Sequence, residues 1–334
     1  MRIAFFELEG WEEIIIKSEF PDAELFLSKE KVDETTPPPQ NQFDIISVFV
    51  DSRINPQTLP QFPNLKFITT RSTGYDHIDT ALCAQKGIPV AYVPGYGDNT
   101  VAEFAFGLIL NLTRKIYHAI DQIKEIESFS LTGLRGTDLK NKTIGIIGTG
   151  RIGKEMIKIA KGFGMNVIAY DPFPNQETAK QMNFEYMSLN ELLQRSNIIS
   201  IHCPYTKETH HLINKENIQI IKKGAYLVNT ARGGIVETDA LIEALQNKTL
   251  AGAGIDVLEE EGETKDEMKF LSKASPREQE LRTMLQNHIL MKMPNVLITP
   301  HNAFNSQEAL ERILRTTLEN IKGFISGSPI NLVK

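Results

Sequence analysis

The run Gly148-Thr149-Gly150-Arg151-Ile152-Gly153 has the glycine spacing of a phosphate-receiving turn, and three later side chains, Arg232, Glu261 and His301, have the chemistry to hold a carboxylate and move a proton. The turn follows Lys142-Thr143-Ile144-Gly145-Ile146-Ile147, which reads as a buried strand, and precedes a helical stretch and a second strand ending in Tyr170-Asp171. Each glycine has a task. Gly148 permits the tight turn, Gly150 lets a pyrophosphate approach the backbone, and Gly153 lets helix and strand pack closely. The helix N-terminus, at Arg151 and Ile152, then offers free N–H groups and partial positive charge to phosphates. Asp171 stands 18 positions after Gly153, where a carboxylate accepts hydrogen bonds from the adenosine ribose and repels a 2′-phosphate. Strand, glycines, helix, second strand and acid fall in the order that a dinucleotide site requires, and the acid selects NAD over NADP.

Such a cofactor carries hydride chemistry, so the protein has to hold a substrate, orient it and manage one proton. Reducing a 2-keto acid needs a cation for the carboxylate and an acid for the forming alkoxide. In open α/β sheets both belong at the carboxyl ends of strands. Arg232 lies there, in Asn229-Thr230-Ala231-Arg232-Gly233-Gly234, and its planar fork suits a carboxylate bound by two hydrogen bonds. His301 follows another strand, in Thr299-Pro300-His301, and a histidine suits acid–base work near neutral pH. Glu261 follows a third strand, five positions after Asp256. A carboxylate beside an imidazole favours its protonated form. Taken alone, His301 reads equally as a structural or surface histidine, and the run Glu259-Glu260-Glu261 reads as a solvated face.

The elements that must position these residues are legible as pattern. Residues 3–8, 45–50, 66–70 and 89–92 read as strands of a first region, with Pro37-Pro38-Pro39 as a surface loop. Residues 100–125 read as one long helix, opened by a Thr100-x-x-Glu103 capping box and apolar on nearly every side. Such a helix is buried, either in a core or against a second subunit, and we expect the latter. From residue 142 onward, short apolar strands at 143–148, 166–170, 198–202, 225–230, 251–256 and 296–299 alternate with helical stretches. That alternation implies a parallel sheet covered on both faces, the doubly wound α/β architecture. Residues 306–325 carry Leu310, Ile313, Leu314, Thr317, Ile321 and Phe324 at helical spacing.

The bulk composition narrows the function classes. A chain of 334 residues with 41% hydrophobic and 23% charged residues has material for two cores. A formal charge of −6 argues against nucleic acid as a partner. No run approaches the roughly 18 apolar residues of a membrane span. The N-terminus turns acidic at Glu7 before a signal-peptide core could form. Two cysteines, Cys83 and Cys203, are too few for a disulfide framework and point to a reducing cytoplasm. The other histidines, His77, His118, His202, His210, His211 and His288, show no metal-ligand spacing, so no metal is expected.

From Arg71 to Phe304 the chain resembles the D-isomer-specific 2-hydroxyacid dehydrogenase family, and within it the members that reduce pyruvate. The matching passages include Arg71-Ser72-Thr73-Gly74-Tyr75-Asp76, Val93-Pro94-Gly95-Tyr96, the glycine turn, Cys203-Pro204-Tyr205-Thr206-Lys207-Glu208-Thr209, Val228-Asn229-Thr230-Ala231-Arg232-Gly233-Gly234, Gly254-Ile255-Asp256-Val257 and Thr299-Pro300-His301. The resemblance implies that Arg232 binds the substrate carboxylate, that His301 exchanges the proton and that Glu261 is its partner. It implies a second carboxylate hold at Thr73 and Gly74 and an aromatic beside the substrate at Tyr96. It gives Arg151, Ile152, Asp171, Cys203, Thr209, Thr230, Ala231 and Asp256 as cofactor contacts. Phe49 and Tyr96 would narrow the pocket, which favours pyruvate over bulkier keto acids. The resemblance further implies a discontinuous, flavodoxin-like substrate domain (1–98 and 302–334), a Rossmann NAD-binding domain (99–301), hinge closure over a cleft, and a homodimer built near 100–125.

The spacing of 40 positions between Glu261 and His301 exceeds the minimal family pattern. The extra stretch holds Ser275-Pro276-Arg277-Glu278, a capping box, then Leu281, Met284, Leu285 and His288 at apolar-face spacing. It reads as a short helix laid over the domain surface, with a lid as the alternative. Two rival functions stand beside pyruvate reduction. One is reduction of glyoxylate, hydroxypyruvate or a bulkier keto acid; the other is an NAD-sensing, corepressor-like binding protein on the same fold.

Overall fold

Two all-parallel sheets organise the chain, whose computed structural model describes residues 1–38, 40–259 and 278–333, the side chains of 278–280 excepted. The chain divides into two units, Met1–Tyr96 with Ser306–Lys334, and Gly97–Asn305.

The first unit is built on β1 (Arg2–Phe5), β2 (Glu24–Leu27), β3 (Ile45–Val48), β4 (Phe67–Thr70) and β5 (Val90–Ala91), with α1 (Gly10–Glu19) and α2 (Thr80–Gln85) between them. The strands stand in the order β2-β1-β3-β4-β5. This is the flavodoxin-like winding, whose switch point lies between β1 and β3. Side chains alternate between two cores. Ile3, Phe5 and Ile45 face one, while Ala4, Ile46 and Val48 face the other. Burial on both faces is why these strands read as continuous apolar runs. The long C-terminal helix Gln307–Ile325 returns to this unit, with Leu314, Leu318 and Ile321 in the same core as Ile3 and Phe5. Its Phe324 stacks on Phe67 at 4.4 Å between ring centroids. Ser306 caps its first turn by accepting from the Ala309 N–H.

The second unit carries β6 (Thr143–Ile147), β7 (Asn166–Tyr170), β8 (Glu185–Tyr186), β9 (Ile198–Ile201), β10 (Ala225–Asn229), β11 (Leu250–Ile255) and β12 (Val296–Ile298). Their order is β12-β11-β10-β9-β6-β7-β8, so the winding reverses between β6 and β9. The helices α3 (Asp98–Arg114) and α5 (Arg151–Gly162) cover one face through Ala105, Ile109, Met156 and Ile157, with α4 (Ile116–Ile126) following α3. On the other face lie α7 (Leu189–Arg195) and α8 (Thr238–Gln246), through Leu192, Leu193, Leu241 and Leu245. The small helix α6 (Gln176–Met182) precedes β8.

Several sequence expectations are corrected. The helix expected over 100–125 is two helices, because Lys115 adopts a left-handed conformation with φ 53° and stops the α-helical hydrogen-bond run. The first helix starts at Asp98 after Gly97, so Thr100 sits inside its first turn, and Glu103 accepts from the Asn99 side chain instead of closing a capping box. The core reading applies to α3, which packs within its own unit; the apolar surface left exposed belongs to α4. Strands β2 and β8 carry no fully buried residue and were not expected; β2 offers only the short run Leu25-Phe26-Leu27, and β8 is two residues long. The helix of the inserted stretch, α9 (Glu278–Lys292), buries Thr283, Met284, Asn287 and Leu290. Leu285, expected on that face, is 61% exposed. The polar Asn287 is inside because its Nδ2 donates to the Glu259 carbonyl at 2.8 Å. Its expected capping residues 275–277, like Pro39 of the proline run, lie outside the described residues.

The C-terminal helix, α10 (Gln307–Ile325), is tied to the first sheet by a fully buried amide. Asn320 Nδ2 donates to Thr69 Oγ1 at 3.3 Å and to the Tyr92 carbonyl at 3.0 Å, and its Oδ1 accepts from Asn331 at 2.8 Å. Replacing Asn320 with Ala strands the buried Thr69 hydroxyl and the part-buried Tyr92 carbonyl and Asn331 amide, so the variant should lose about 1–3 kcal/mol of stability. A urea-unfolding midpoint indistinguishable from that of the wild type would reject this role.

Candidate active site

The glycine turn joins β6 to α5, and its geometry requires a glycine at two of the three positions. Gly148 has φ +92°, and a Cβ there would come within 2.7 Å of the Cys203 backbone nitrogen. A Cβ on Gly153 would overlap the Gly148 carbonyl, so this glycine lets α5 seat on the turn. Gly150 differs: a Cβ there would meet no protein atom within 4 Å. That open space would let a pyrophosphate lie against the backbone leading into Arg151 and Ile152. Asp171, one residue beyond β7, is fixed beside the turn. Its Oδ2 accepts from Thr149 N at 2.8 Å and Thr149 Oγ1 at 2.9 Å, and its Oδ1 accepts from Phe173 N at 2.9 Å. Thr149 Oγ1 also meets the Tyr186 hydroxyl at 2.8 Å, so the short strand β8 helps to place the acid.

Across the sheet, Ile147 pairs with Ile201, Ile201 with Asn229, Asn229 with Ile255 and Ile255 with Ile298. The residues that follow these five all emerge on one edge. Four strand spacings separate the glycine turn from the His301 loop, about 19 Å. Cys203 is 8% exposed, and burial pushes its thiol up to about 11, so it packs as a neutral side chain. Burial pushes His202 down to about 3, which leaves a neutral ring meeting Ser200 Oγ at 2.8 Å and no part in proton exchange near neutral pH. Thr209 shapes the loop after β9: its hydroxyl accepts from Thr206 N and donates to the Pro204 carbonyl, both at 2.7 Å. Thr230, just past β10, has a buried hydroxyl with no hydrogen-bond partner among the described residues. A buried polar atom without a partner is costly, and a bound ligand would satisfy it. The open space beside Gly150 and this hydroxyl both fit a dinucleotide.

Arg232 and Ala231 sit in a turn held by Asn229, a residue that sequence reasoning left unassigned. Asn229 is 1% exposed; its Oδ1 accepts from Ala231 N at 3.0 Å and its Nδ2 donates to the Arg232 carbonyl at 2.9 Å. Gly233 lies against the Leu258 backbone, too close for any side chain. Arg232 is half-buried, and its Nη1 donates to the Ala231 carbonyl at 2.8 Å. Asp256, just past β11, is 1% exposed. Its Oδ1 accepts from Thr299 Oγ1 at 2.5 Å and Asn302 N at 2.8 Å, and its Oδ2 accepts from Ala303 N at 2.9 Å. The His301 N–H donates to the Asp256 carbonyl at 2.8 Å. This one residue therefore pins both sides of His301, which takes a left-handed φ of 53° and sets its ring edge-on to Phe304. Glu261 lies outside the described residues. A histidine–carboxylate pair was not foreseen: His211 Nε2 meets Glu259 Oε1 at 2.8 Å, and Glu259 Oε2 accepts from Thr238 Oγ1 at 2.7 Å.

In the first unit, the expected substrate residues follow the ends of β3, β4 and β5. Phe49 is half-buried directly after β3. Thr73 donates through its hydroxyl to the Val93 carbonyl at 2.7 Å, and the Gly74 carbonyl accepts from Ser72 Oγ at 2.6 Å. The Tyr96 carbonyl accepts from Arg312 Nε of α10 at 2.7 Å.

Residues 106–303 match the model of the D-isomer specific 2-hydroxyacid dehydrogenase NAD binding domain. The chain is 37% identical to a 2-hydroxyacid dehydrogenase homolog of Zymomonas mobilis, over 98% of both chains. It is 38% identical to an aromatic 2-oxoacid reductase of Clostridium sporogenes, over 84% of this chain and 83% of the relative. Among solved structures it resembles the D-lactate dehydrogenase of Aquifex aeolicus complexed with NAD and lactic acid, with TM-score 0.86 and 36% identity, over 99% of this chain and 98% of that one. The fold and site define a nicotinamide-dependent oxidoreductase with an NAD-binding Rossmann unit. The chain belongs to the D-isomer-specific 2-hydroxyacid dehydrogenase family.

The second and third glycines of the turn separate binding from folding. Gly150→Ala should keep the melting temperature and weaken NADH binding by about tenfold or more, since its methyl enters space kept for the phosphates. Gly153→Ala should lower both, because α5 has to move off the turn. NADH fluorescence titration with a parallel thermal melt checks this; equal NADH affinity in wild type and Gly150→Ala would overturn the reading of the turn.

Proposed function

We propose that this enzyme reduces a small 2-keto acid to its D-2-hydroxy acid, with pyruvate as the preferred substrate and D-lactate as the product. The observation that carries this reading is the row formed at the ends of β10, β11 and β12, where Arg232, Asp256 and His301 emerge from adjacent strands. NAD(H), when bound, supplies or takes the hydride. Arg232 holds the substrate carboxylate and polarises the carbonyl, a task for a cation that cannot titrate away. His301 gives its proton to the oxygen at C2 as the alkoxide forms, and takes it back in the reverse direction. Asp256 keeps the His301 backbone in place and completes the cofactor's surroundings, while Glu261 is the partner of the imidazole. Arg151, Ile152, Asp171, Cys203, Thr209, Thr230 and Ala231 serve the dinucleotide. To the first unit the same reading gives a second hold on the carboxylate, at the backbone N–H groups of Thr73 and Gly74. It also gives Tyr96 and Phe49 as neighbours of the group on C3. The relative named aromatic 2-oxoacid reductase favours one second reading, a keto acid with a larger C3 substituent.

NADH consumption against pyruvate, glyoxylate, hydroxypyruvate and phenylpyruvate decides among these substrates, and turnover with none of them would favour an NAD-sensing binding protein. His301→Gln should lower kcat by about 10²–10⁴-fold, the share usual for acid–base catalysis, with NADH affinity retained. Near-normal turnover would remove His301 from the proton step.

We also propose that the enzyme is a cytoplasmic homodimer. Among the described residues no helix is long and apolar enough to cross a membrane, and Cys83 and Cys203 are both free and buried. The support for the dimer is α4, which has no buried residue yet presents Ile116, Tyr117, Ile120, Ile123 and Ile126 at 42–68% exposure. A contiguous apolar face of this kind marks an interface, and a second copy of the chain is the occupant proposed for it. The double variant Ile120→Glu, Ile123→Glu should run as a monomer in light scattering while still binding NADH. An unchanged mass would place the interface elsewhere.

A further inference from the structure

The first unit buries a charged network that the reading above does not use. Arg71, directly after β4, is 2% exposed. Its Nη2 donates to the Phe6 and Glu7 carbonyls, both at 2.7 Å, and its Nη1 donates to Ser47 Oγ at 3.3 Å. Its Nε lies 3.6 Å from Glu12 Oε1, itself 8% exposed at the side chain. The guanidinium carbon sits 5.6 Å from the centre of the Phe49 ring. Burial opposes the charge on both partners, lowering the Arg71 pKa and raising that of Glu12, while their mutual attraction opposes those shifts.

Glu7 extends the network to the loop after β3. It adopts φ +56°, a left-handed conformation that a non-glycine residue keeps only when its surroundings over-determine it. The surroundings do so twice. Arg71 grips its carbonyl, and its carboxylate accepts from Phe49 N at 2.9 Å, Asp51 N at 2.8 Å, Ser52 N at 3.2 Å and the Ser52 hydroxyl. One carboxylate thus takes three N–H donors of the 49–52 loop, and Arg71 lies against the face of the ring that this loop carries. Apolar side chains would join the ends of β1, β3 and β4 at less desolvation cost. A fixed conformation of 49–52 is what the charges add, because directional hydrogen bonds define an orientation that apolar packing does not.

We propose that Arg71 and Glu7 are positioning residues that hold the Phe49 ring in a fixed place, and that this ring limits the size of the group on C3 of the keto acid. The inference rests on the placement of Phe49 beside the substrate in the proposed function. Glu7→Gln turns an all-acceptor group into one with an N–H₂ facing donors, which releases the loop. Arg71→Lys keeps the charge but cannot span two carbonyls, a hydroxyl and a ring face.

The test compares kcat/KM for phenylpyruvate and for pyruvate in the wild type, Glu7→Gln, Arg71→Lys, Ser52→Ala and Phe49→Ala, with NADH affinity measured on each. A released ring admits the larger acid, so Glu7→Gln, Arg71→Lys and Phe49→Ala should each raise the phenylpyruvate-to-pyruvate ratio by about fivefold or more, mainly through KM. Ser52→Ala should move it the same way by less. NADH affinity should stay within about twofold, since the glycine turn belongs to the other unit. A ratio that moves in Phe49→Ala but not in folded Glu7→Gln and Arg71→Lys overturns the proposal. If those two variants do not fold, an unmoved ratio in Ser52→Ala overturns it instead. An unmoved ratio in Phe49→Ala, with pyruvate still reduced, also overturns it and leaves the keto-acid reductase standing. Failure of the wild type to reduce either acid while binding NADH would remove the underlying function itself.

Discussion

All strands of a parallel sheet run the same way, so every strand delivers its following loop to the same edge. That constraint turns separations of tens of residues into neighbouring positions. Asn229, Ile255 and Ile298 pair directly across β10, β11 and β12, and the residues one to three positions later are Arg232, Asp256 and His301. The first unit obeys the same rule, with Glu7, Phe49, Arg71 to Gly74 and Tyr96 leaving the ends of β1, β3, β4 and β5. Register, set by burial on both faces, therefore fixes which side chains share an edge before any ligand is considered.

Such an edge carries a burden. Loop backbone groups there are withdrawn from water without ladder partners, and each has to find a hydrogen bond. In the second unit, side chains answer this need. Asn229 closes the Arg232 turn, Asp256 takes two N–H groups and a hydroxyl from 299–303, Thr209 closes the loop after β9, and Asp171 takes the Thr149 and Phe173 amides. The result is an edge made rigid by buried polar groups, the condition for catalytic groups to be held in place by their supports. The Thr230 hydroxyl departs from this pattern, buried and without a hydrogen-bond partner among the described residues.

The two units differ in how their edges are held. The second relies on neutral amides, hydroxyls and single carboxylates meeting backbone N–H groups. The first places a guanidinium and a carboxylate, Arg71 and Glu12, below its surface and links them to a left-handed Glu7. Buried ion pairs add little stability over apolar packing, so their presence points to a demand on conformation.

The sequence by itself determined the doubly wound class, most strand positions in both units, the glycine turn with Asp171, and the strand ends where Arg232 and His301 stand. These are legible because periodicity, glycine spacing and strand–helix alternation are local properties written in consecutive residues. The edge strands β2 and β8 were not read, since β2 offers only the three-residue run Leu25-Phe26-Leu27 and β8 only two residues. The break at Lys115 was also hidden, because a left-handed lysine leaves no mark in composition. Tertiary structure alone decided that Asn229 and Asp256 brace the Arg232 and His301 loops, that the His202 ring meets Ser200 and that Asn320 ties the last helix to β4. It alone decided that Arg71 reaches Glu7 and Glu12, 64 and 59 positions earlier in the chain. The physical reason is the same throughout: a hydrogen bond or ion pair is set by distances of about 3 Å in space, and sequence separation does not encode them until the sheet has formed.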